Sequence, residues 1–159
     1  MEQTFSIIKP DAVSRGSIGR IIARFEDEGL KIIGMRLICL TREEAEGFYH
    51  VHSSKPFFGS LTEFMSSGPA VVLCLEGPDA IARVREIMGA TNPKDAAKGT
   101  LRRLYATDVE KNAVHGSDSP ESYSTERPYF FRDLDLFCYE RKAASGKDGE
   151  KWDPLPPLS

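Results

Sequence analysis

Asn112-Ala113-Val114-His115-Gly116-Ser117-Asp118-Ser119 sets one histidine between an apolar pair and a run of turn-forming, hydrogen-bonding residues. A side chain on a strand leaving a buried sheet, followed at once by a glycine, can face a cleft while its backbone stays fixed. That seat suits a nucleophile. Ser119-Pro120-Glu121 reads as an N-cap, a first-turn proline and a first-turn acid, so a helix starts just after the histidine. If it runs from Pro120 through Glu126, then Glu126 can fold back on the imidazole. A carboxylate bonded to one ring nitrogen fixes the tautomer and leaves the other as an oriented lone pair. Ser117 is placed to hold that carboxylate. The competing reading is an ordinary strand-end histidine beside a turn, and the octapeptide alone does not choose between them.

The elements that must position this stretch follow from the apolar pattern. With 159 residues, 40% hydrophobic and 28% charged, the chain suits one domain with a proper core. Thr4-Phe5-Ser6-Ile7-Ile8 is a β-prone run stopped by Lys9-Pro10-Asp11, which leaves Lys9 at the carboxyl end of a buried strand. Ser17 is read as the cap of an amphipathic helix carrying Ile18, Ile21, Ile22 and Phe25, with Gly29 as its stop. Leu30 to Leu40 reads as a second strand, and Thr41-Arg42-Glu43-Glu44 as a capping box opening a short helix that ends near Tyr49-His50. Phe57 through Met65 reads as helical. Ala70 to Leu75 has the continuous apolar run of a central strand, and Asp79 is read as the cap of a helix through Met88 ended by Gly89.

Ala90 to Lys111 shows little periodicity and reads as one long loop carrying Lys94, Lys98, Arg102, Arg103 and Lys111. With the two short helices treated as an insertion, the order is β-α-β-β-α-β. That is an α+β, ferredoxin-like antiparallel sheet with helices over one face. Beyond Arg132, Leu134, Leu136 and Phe137 are read as one extra strand. Ala143 to Ser159 is rich in Gly, Pro and Ser, a composition expected to be partly disordered unless docked. The expected division is a domain over residues 1–132 and an extension over 133–159, with Trp152 and Leu155 docking on a neighbouring subunit.

A net charge of -3 and a pI near 5.7 give no global basic field, so a stable nucleic-acid partner is not expected. Cys39, Cys74 and Cys138 are widely spaced in apolar runs, which suits buried free thiols in a reducing compartment. No apolar run reaches membrane-spanning length and no leader pattern is visible, so a cytoplasmic location is expected. His50 and His52 flank Val51 without a third ligand nearby, and a solvent-facing helix end is the expected reading over a metal site.

Five segments together resemble the nucleoside diphosphate kinase family, in the family's order and across roughly residues 3 to 131. They are Thr4 to Asp11, Lys55-Pro56-Phe57-Phe58, Gly89-Ala90-Thr91-Asn92-Pro93, Gly99-Thr100-Leu101-Arg102, and Asn112 to Ser119. The resemblance implies ping-pong transfer of a γ-phosphate from a nucleoside triphosphate to a nucleoside diphosphate through His115. It implies that Glu126 and Ser117 orient the imidazole and that Lys9, Tyr49, Arg85, Thr91, Arg102 and Asn112 hold phosphates and sugar. Phe57 would stack on the base, with Leu61 and Val109 completing the slot. Magnesium would bridge the phosphates and need few protein ligands. The family's homo-oligomers are commonly tetramers or hexamers built from a shared dimer.

The residue types suit that chemistry, because phosphoryl transfer needs positioning and cations more than strong acid-base groups. Neither G-x-x-x-x-G-K-[ST] nor G-x-G-x-x-G occurs, which removes the Walker-type ATPase and the protein kinase. Two alternatives stand beside this reading: a non-catalytic ferredoxin-like binding module using the basic loop 94–111, and a phosphohydrolase in which water accepts the phosphate. The pattern departs from the family at Arg103 and Leu104, where many members have a small residue and an aspartate. Loop packing there is expected to differ.

Overall fold

The computed structural model describes residues 1–142. Four strands, β1 (Glu2–Ile8), β2 (Lys31–Ile38), β3 (Ala70–Gly77) and β4 (Val114–Gly116), form one sheet in the order β2-β3-β1-β4. Every neighbouring pair is antiparallel. The helices are α1 (Pro10–Ser14), α2 (Ile18–Asp27), α3 (Arg42–Phe48), α4 (Phe58–Met65), α5 (Ala80–Met88), α6 (Leu101–Tyr105) and α7 (Pro120–Phe130).

Strand alternation divides the apolar residues between two cores. Ile8, Val71, Leu73, Leu75 and Val114 face α2 and α5, where they meet Ile21, Phe25, Val84 and Met88. Phe5, Ile7, Val72 and Cys74 face the other way and pack on Ala45, Leu61, Phe64, Met65 and Phe130 from α3, α4 and α7. The sheet is therefore covered on both faces, whereas the sequence pattern accounted for one. The inserted pair α3 and α4, with α7, supplies the second layer. This explains why β3 reads as a continuous apolar run.

Several local expectations change. Ser17 makes no side-chain cap, and Asp79 sits in the left-handed region (φ 47°) without capping α5. Glu2 takes over the capping of α5 from 79 residues away, its Oε2 accepting from the Ile81 N–H at 2.9 Å. The Lys9-Pro10-Asp11 stop after β1 is itself the start of a helix, with Pro10 at the first position of α1. The expected loop after Gly89 contains α6, anchored by the buried Leu101. Leu134, Leu136 and Phe137 form no strand. Asp135 accepts three hydrogen bonds from Arg132 and closes a 3-10 turn over Asp133–Asp135, after which the Phe137 N–H donates to the Ile33 carbonyl at 2.8 Å. Cys74 is buried as expected, but Cys39 and Cys138 are exposed. The segment from Ala143 to Ser159, with Trp152 and Leu155, lies outside the described residues.

The helix that carries Glu126 is well founded. The Ser119 hydroxyl accepts from the Ser122 N–H at 3.0 Å, the Ser122 hydroxyl accepts from the Ser119 N–H at 3.0 Å, and Pro120 opens the first turn. Ser119→Ala is expected to cost about 1 kcal/mol. In a chain of this size it should lower Tm by about 3 °C. A thermal melt checks this, and an unchanged Tm would show that α7 does not depend on its cap.

Candidate active site

His115 is the middle residue of β4, paired with Ile7, and its side chain is 24% exposed. The rings of Phe5 and Phe48 lie 6.2 and 6.0 Å away and close its apolar side. Glu126 reaches back from α7 so that its Oε2 bonds to His115 Nε2, and the Ser117 hydroxyl donates to the same Oε2 at 3.4 Å. With its hydrogen on Nε2, the ring keeps a lone pair on Nδ1. Among the described residues none pairs with Nδ1. The Tyr49 hydroxyl is buried and has no partner there either. Burial, and then the charge of Glu126, push its phenol above the ordinary range.

Two arginines line the free edge of β4. Arg102 Nη2 donates to the Val114 carbonyl at 3.0 Å, and Arg85 Nη1 to the Gly116 carbonyl at 3.4 Å, so they bracket His115 from its backbone. Arg102 Nη1 also donates to the Gly89 carbonyl at 3.0 Å. Burial first, and then the like charge of Arg85, pull the Arg102 guanidinium down to about 10. Two guanidiniums bonded along the same short strand form a natural anion seat.

Lys9 is buried at the end of β1 and donates from Nζ to Asn112 Oδ1 at 2.8 Å. Burial, and then Arg102, lower it to about 8, while Asp11 and Glu110 raise it. Asn112 spends its own amide on the carbonyls of Val109 at 3.1 Å and Thr91 at 3.4 Å. One network thus ties Lys9 and Asn112 to the two loop positions.

Phe57 stands at the start of α4, 46% exposed, and Leu61 is buried one turn later. Val109 is exposed in the loop, and the Ser60 hydroxyl donates to Glu110 Oε1 at 2.9 Å, joining α4 to that loop. The residues named from the sequence therefore fall into four groups. His115, Ser117 and Glu126 form a hydrogen-bonded unit, beside which stands the Tyr49 phenol. Lys9, Asn112, Thr91 and Val109 form another, and Arg85 and Arg102 flank β4. Phe57 and Leu61, at the start of α4, form the fourth, and the Ser60–Glu110 bond ties that helix to the loop that carries Val109.

The Ser60–Glu110 bond and the carboxylate of Asp11 escaped the sequence reading. The bond pairs residues 50 apart with no shared pattern. Asp11 carried no signal beyond its place in the Lys9-Pro10-Asp11 strand stop. Arg103, at the position that departs from the family, donates to the carbonyls of Pro93 and Lys94, both at 3.4 Å, and so stitches the loop to itself. His50 and His52 lie in a 3-10 turn. Among the described residues no three His, Cys, Asp or Glu side chains converge to hold a metal ion, and no helix is long and apolar enough to cross a membrane.

Comparison with known proteins agrees with this geometry. The family profile described as "Nucleoside diphosphate kinase" matches residues 2–136. A nucleoside diphosphate kinase of Desulfosudis oleivorans is 60% identical over 136 residues, covering 86% of this chain and 98% of that protein. The nucleoside diphosphate kinase of Aquifex aeolicus superposes with a TM-score of 0.84 at 47% identity, over 86% of this chain and 99% of its own. A halophilic nucleoside diphosphate kinase from Halobacterium salinarum, solved in complex with CDP, gives 0.85 at 42% identity, over 89% and 95%. A histidine held by a carboxylate on one ring nitrogen, cations along its strand and likeness over nearly the whole of each relative lead to one conclusion: this chain belongs to the nucleoside diphosphate kinase family.

Proposed function

We propose that the chain moves the γ-phosphate of a nucleoside triphosphate to a nucleoside diphosphate in two half-reactions through His115. The observation that carries this is the Glu126 bond to Nε2, which leaves Nδ1 as the nucleophile. In the first half the Nδ1 lone pair attacks the γ-phosphorus. The bond from that phosphorus to its bridging oxygen breaks, and the electron pair leaves on the nucleoside diphosphate. In the second half a terminal oxygen of another diphosphate attacks the phosphorus, and the N–P electron pair returns to Nδ1. Glu126 and Ser117 keep the ring oriented throughout and stabilise the charge it gains.

Lys9, Arg85 and Arg102 supply the positive charge for the phosphates, and arginine grips two oxygens at once. The buried Tyr49 hydroxyl is a ready donor to a transferring oxygen. Asn112, with Lys9, reaches the ribose hydroxyls, and Thr91 lies by the phosphate chain. The cations suit a phosphate chain that would bring its own magnesium and ask few ligands of the protein. When bound, magnesium neutralises charge between neighbouring phosphates. Initial rates with ATP and a varied diphosphate should give parallel double-reciprocal lines. Lines that converge would require both nucleotides to be bound at once and would overturn the shuttle.

Phe57 stacks on the base, and Leu61 and Val109 close the slot. A base held by its face is not read at its edge, so a broad nucleotide range follows. Phe57→Ala is expected to raise nucleotide KM about tenfold with a smaller change in kcat. Equal losses for adenine and cytosine nucleotides in steady-state assays would fit stacking; loss confined to one base would not.

The chain is also read as a homo-oligomer, a tetramer or hexamer built from dimers. The edge strand β2 carries Met35 and Leu37 at 56% and 67% exposure, which suits burial against another copy. The exposed free thiols Cys39 and Cys138 suit a reducing, cytoplasmic setting.

A further inference from the structure

Ala113, two residues before His115, has φ of 72°, in the left-handed region that L side chains rarely adopt. The Val114 N–H donates to the Asn112 carbonyl at 2.8 Å, which makes Asn112-Ala113-Val114 a γ-turn with the strained sign of φ. Something must hold it. The Ala113 N–H donates to Asp11 Oδ2 at 3.0 Å, and the Ala113 carbonyl accepts from the Lys9 N–H at 2.8 Å. Both polar groups of the strained residue are thus clamped by the two residues that flank Pro10.

Asp11 has no part in the phosphate chemistry described above, yet it is 9% exposed and its Oδ1 has no partner among the described residues. A carboxylate is a costly group to bury for a backbone hydrogen bond alone. Its surroundings supply a further reason. The charged groups that face Lys9 are Arg102 from α6, Asp11 from α1 and Glu110 from the loop; Arg102 opposes the ammonium charge and the two acids support it.

We propose that Asp11 is a positioning residue for phosphate transfer: its buried carboxylate holds the strained Asn112-Ala113-Val114 turn and supplies the counter-charge to Lys9. The inference rests on the roles given above to Lys9, Asn112 and His115. Holding the turn fixes Asn112, whose side-chain oxygen receives Lys9 Nζ, and fixes Val114, whose carbonyl receives Arg102. One carboxylate therefore bears on two of the cations and on the strand of the nucleophile.

Two variants separate the tasks. Asp11→Asn keeps an oxygen for the Ala113 N–H and removes the charge. Lys9, already lowered to about 8 by burial, then loses its proton at lower pH. The alkaline limb of kcat/KM, which reports the free enzyme, should move down by about 0.5 to 1 pH unit. Asp11→Ala removes the anchor as well and should raise nucleotide KM at pH 6.5 about tenfold more than Asp11→Asn does. Ala113→Gly in that background should recover much of the KM, because glycine takes φ of 72° without strain.

A merely structural role for Asp11 would lower Tm and leave the pH limb in place. The limb and KM of Asp11→Asn superimposing on those of the unmodified chain would overturn the proposal. If the single variant does not stay folded, Asp11→Asn with Ala113→Gly carries the same pH test. The unmodified chain is assayed first for the phosphoenzyme. Its absence there would remove the functional reading itself, whereas an unmoved limb in an active chain would remove only the role of Asp11.

Discussion

His115→Ala should lose phosphate transfer by about four orders of magnitude or more while still binding nucleotide. The reason is specific to the shuttle. With no Nδ1 there is no covalent intermediate on the ring, and none of the other side chains assigned to the site is an imidazole. Lys9, Asn112, Arg85 and Arg102 remain bonded among themselves and to β4 in ways that do not pass through the imidazole, so the nucleotide seat should survive. Steady-state transfer from ATP to CDP, beside equilibrium binding of a diphosphate, measures both halves of the expectation. Binding and transfer lost together would mean that His115 serves the fold. Transfer retained would mean that the phosphate takes another route, and a non-catalytic binding module would be favoured if the unmodified chain binds without transferring.

Arg102→Ala should lower kcat/KM by about three orders of magnitude, the range for removing a cationic group that meets charge developing in the transition state. Its two guanidinium bonds, to the Gly89 and Val114 carbonyls, fix the loop and the edge of β4, so stability also falls. Arg102→Lys separates the two contributions. It keeps the charge and loses the planar fork, and it should recover less than half of the lost kcat/KM on a logarithmic scale. Full recovery by lysine would show that charge alone matters there. A melt run beside the kinetics tells a loosened strand from a missing cation.

Much of the route to the site was legible in residue types because the signals are local. Pro120 after Ser119 marks a helix start, Ala70 to Leu75 admits no solvent-facing strand, and the placement of Glu126 near His115 follows from the short turn that joins β4 to that helix. What stayed hidden depends on partners distant in the chain. Nothing around Asp79 reveals that Glu2 will cap α5, and nothing in Lys9-Pro10-Asp11 reveals that Ala113 needs an acceptor 102 residues away. The burial of cysteines misled for a related reason. Cys39 follows an apolar run, but it leaves the end of an edge strand, and an apolar neighbourhood in sequence does not settle which side of an edge is covered. The strand expected at Leu134 to Phe137 gave way to a turn that Arg132 and Asp135 close with three hydrogen bonds, while the Phe137 N–H still bonds the Ile33 carbonyl on the edge strand.

The central claim is that phosphate rests covalently on His115 between two nucleotides. The most direct test incubates the purified chain with magnesium and ATP labelled on its γ-phosphate, with no acceptor present. The expected result is label on the chain, acid-labile and alkali-stable, absent from His115→Ala and released as CTP when CDP is added. No label, equal label on the variant, or release only as inorganic phosphate would contradict the account.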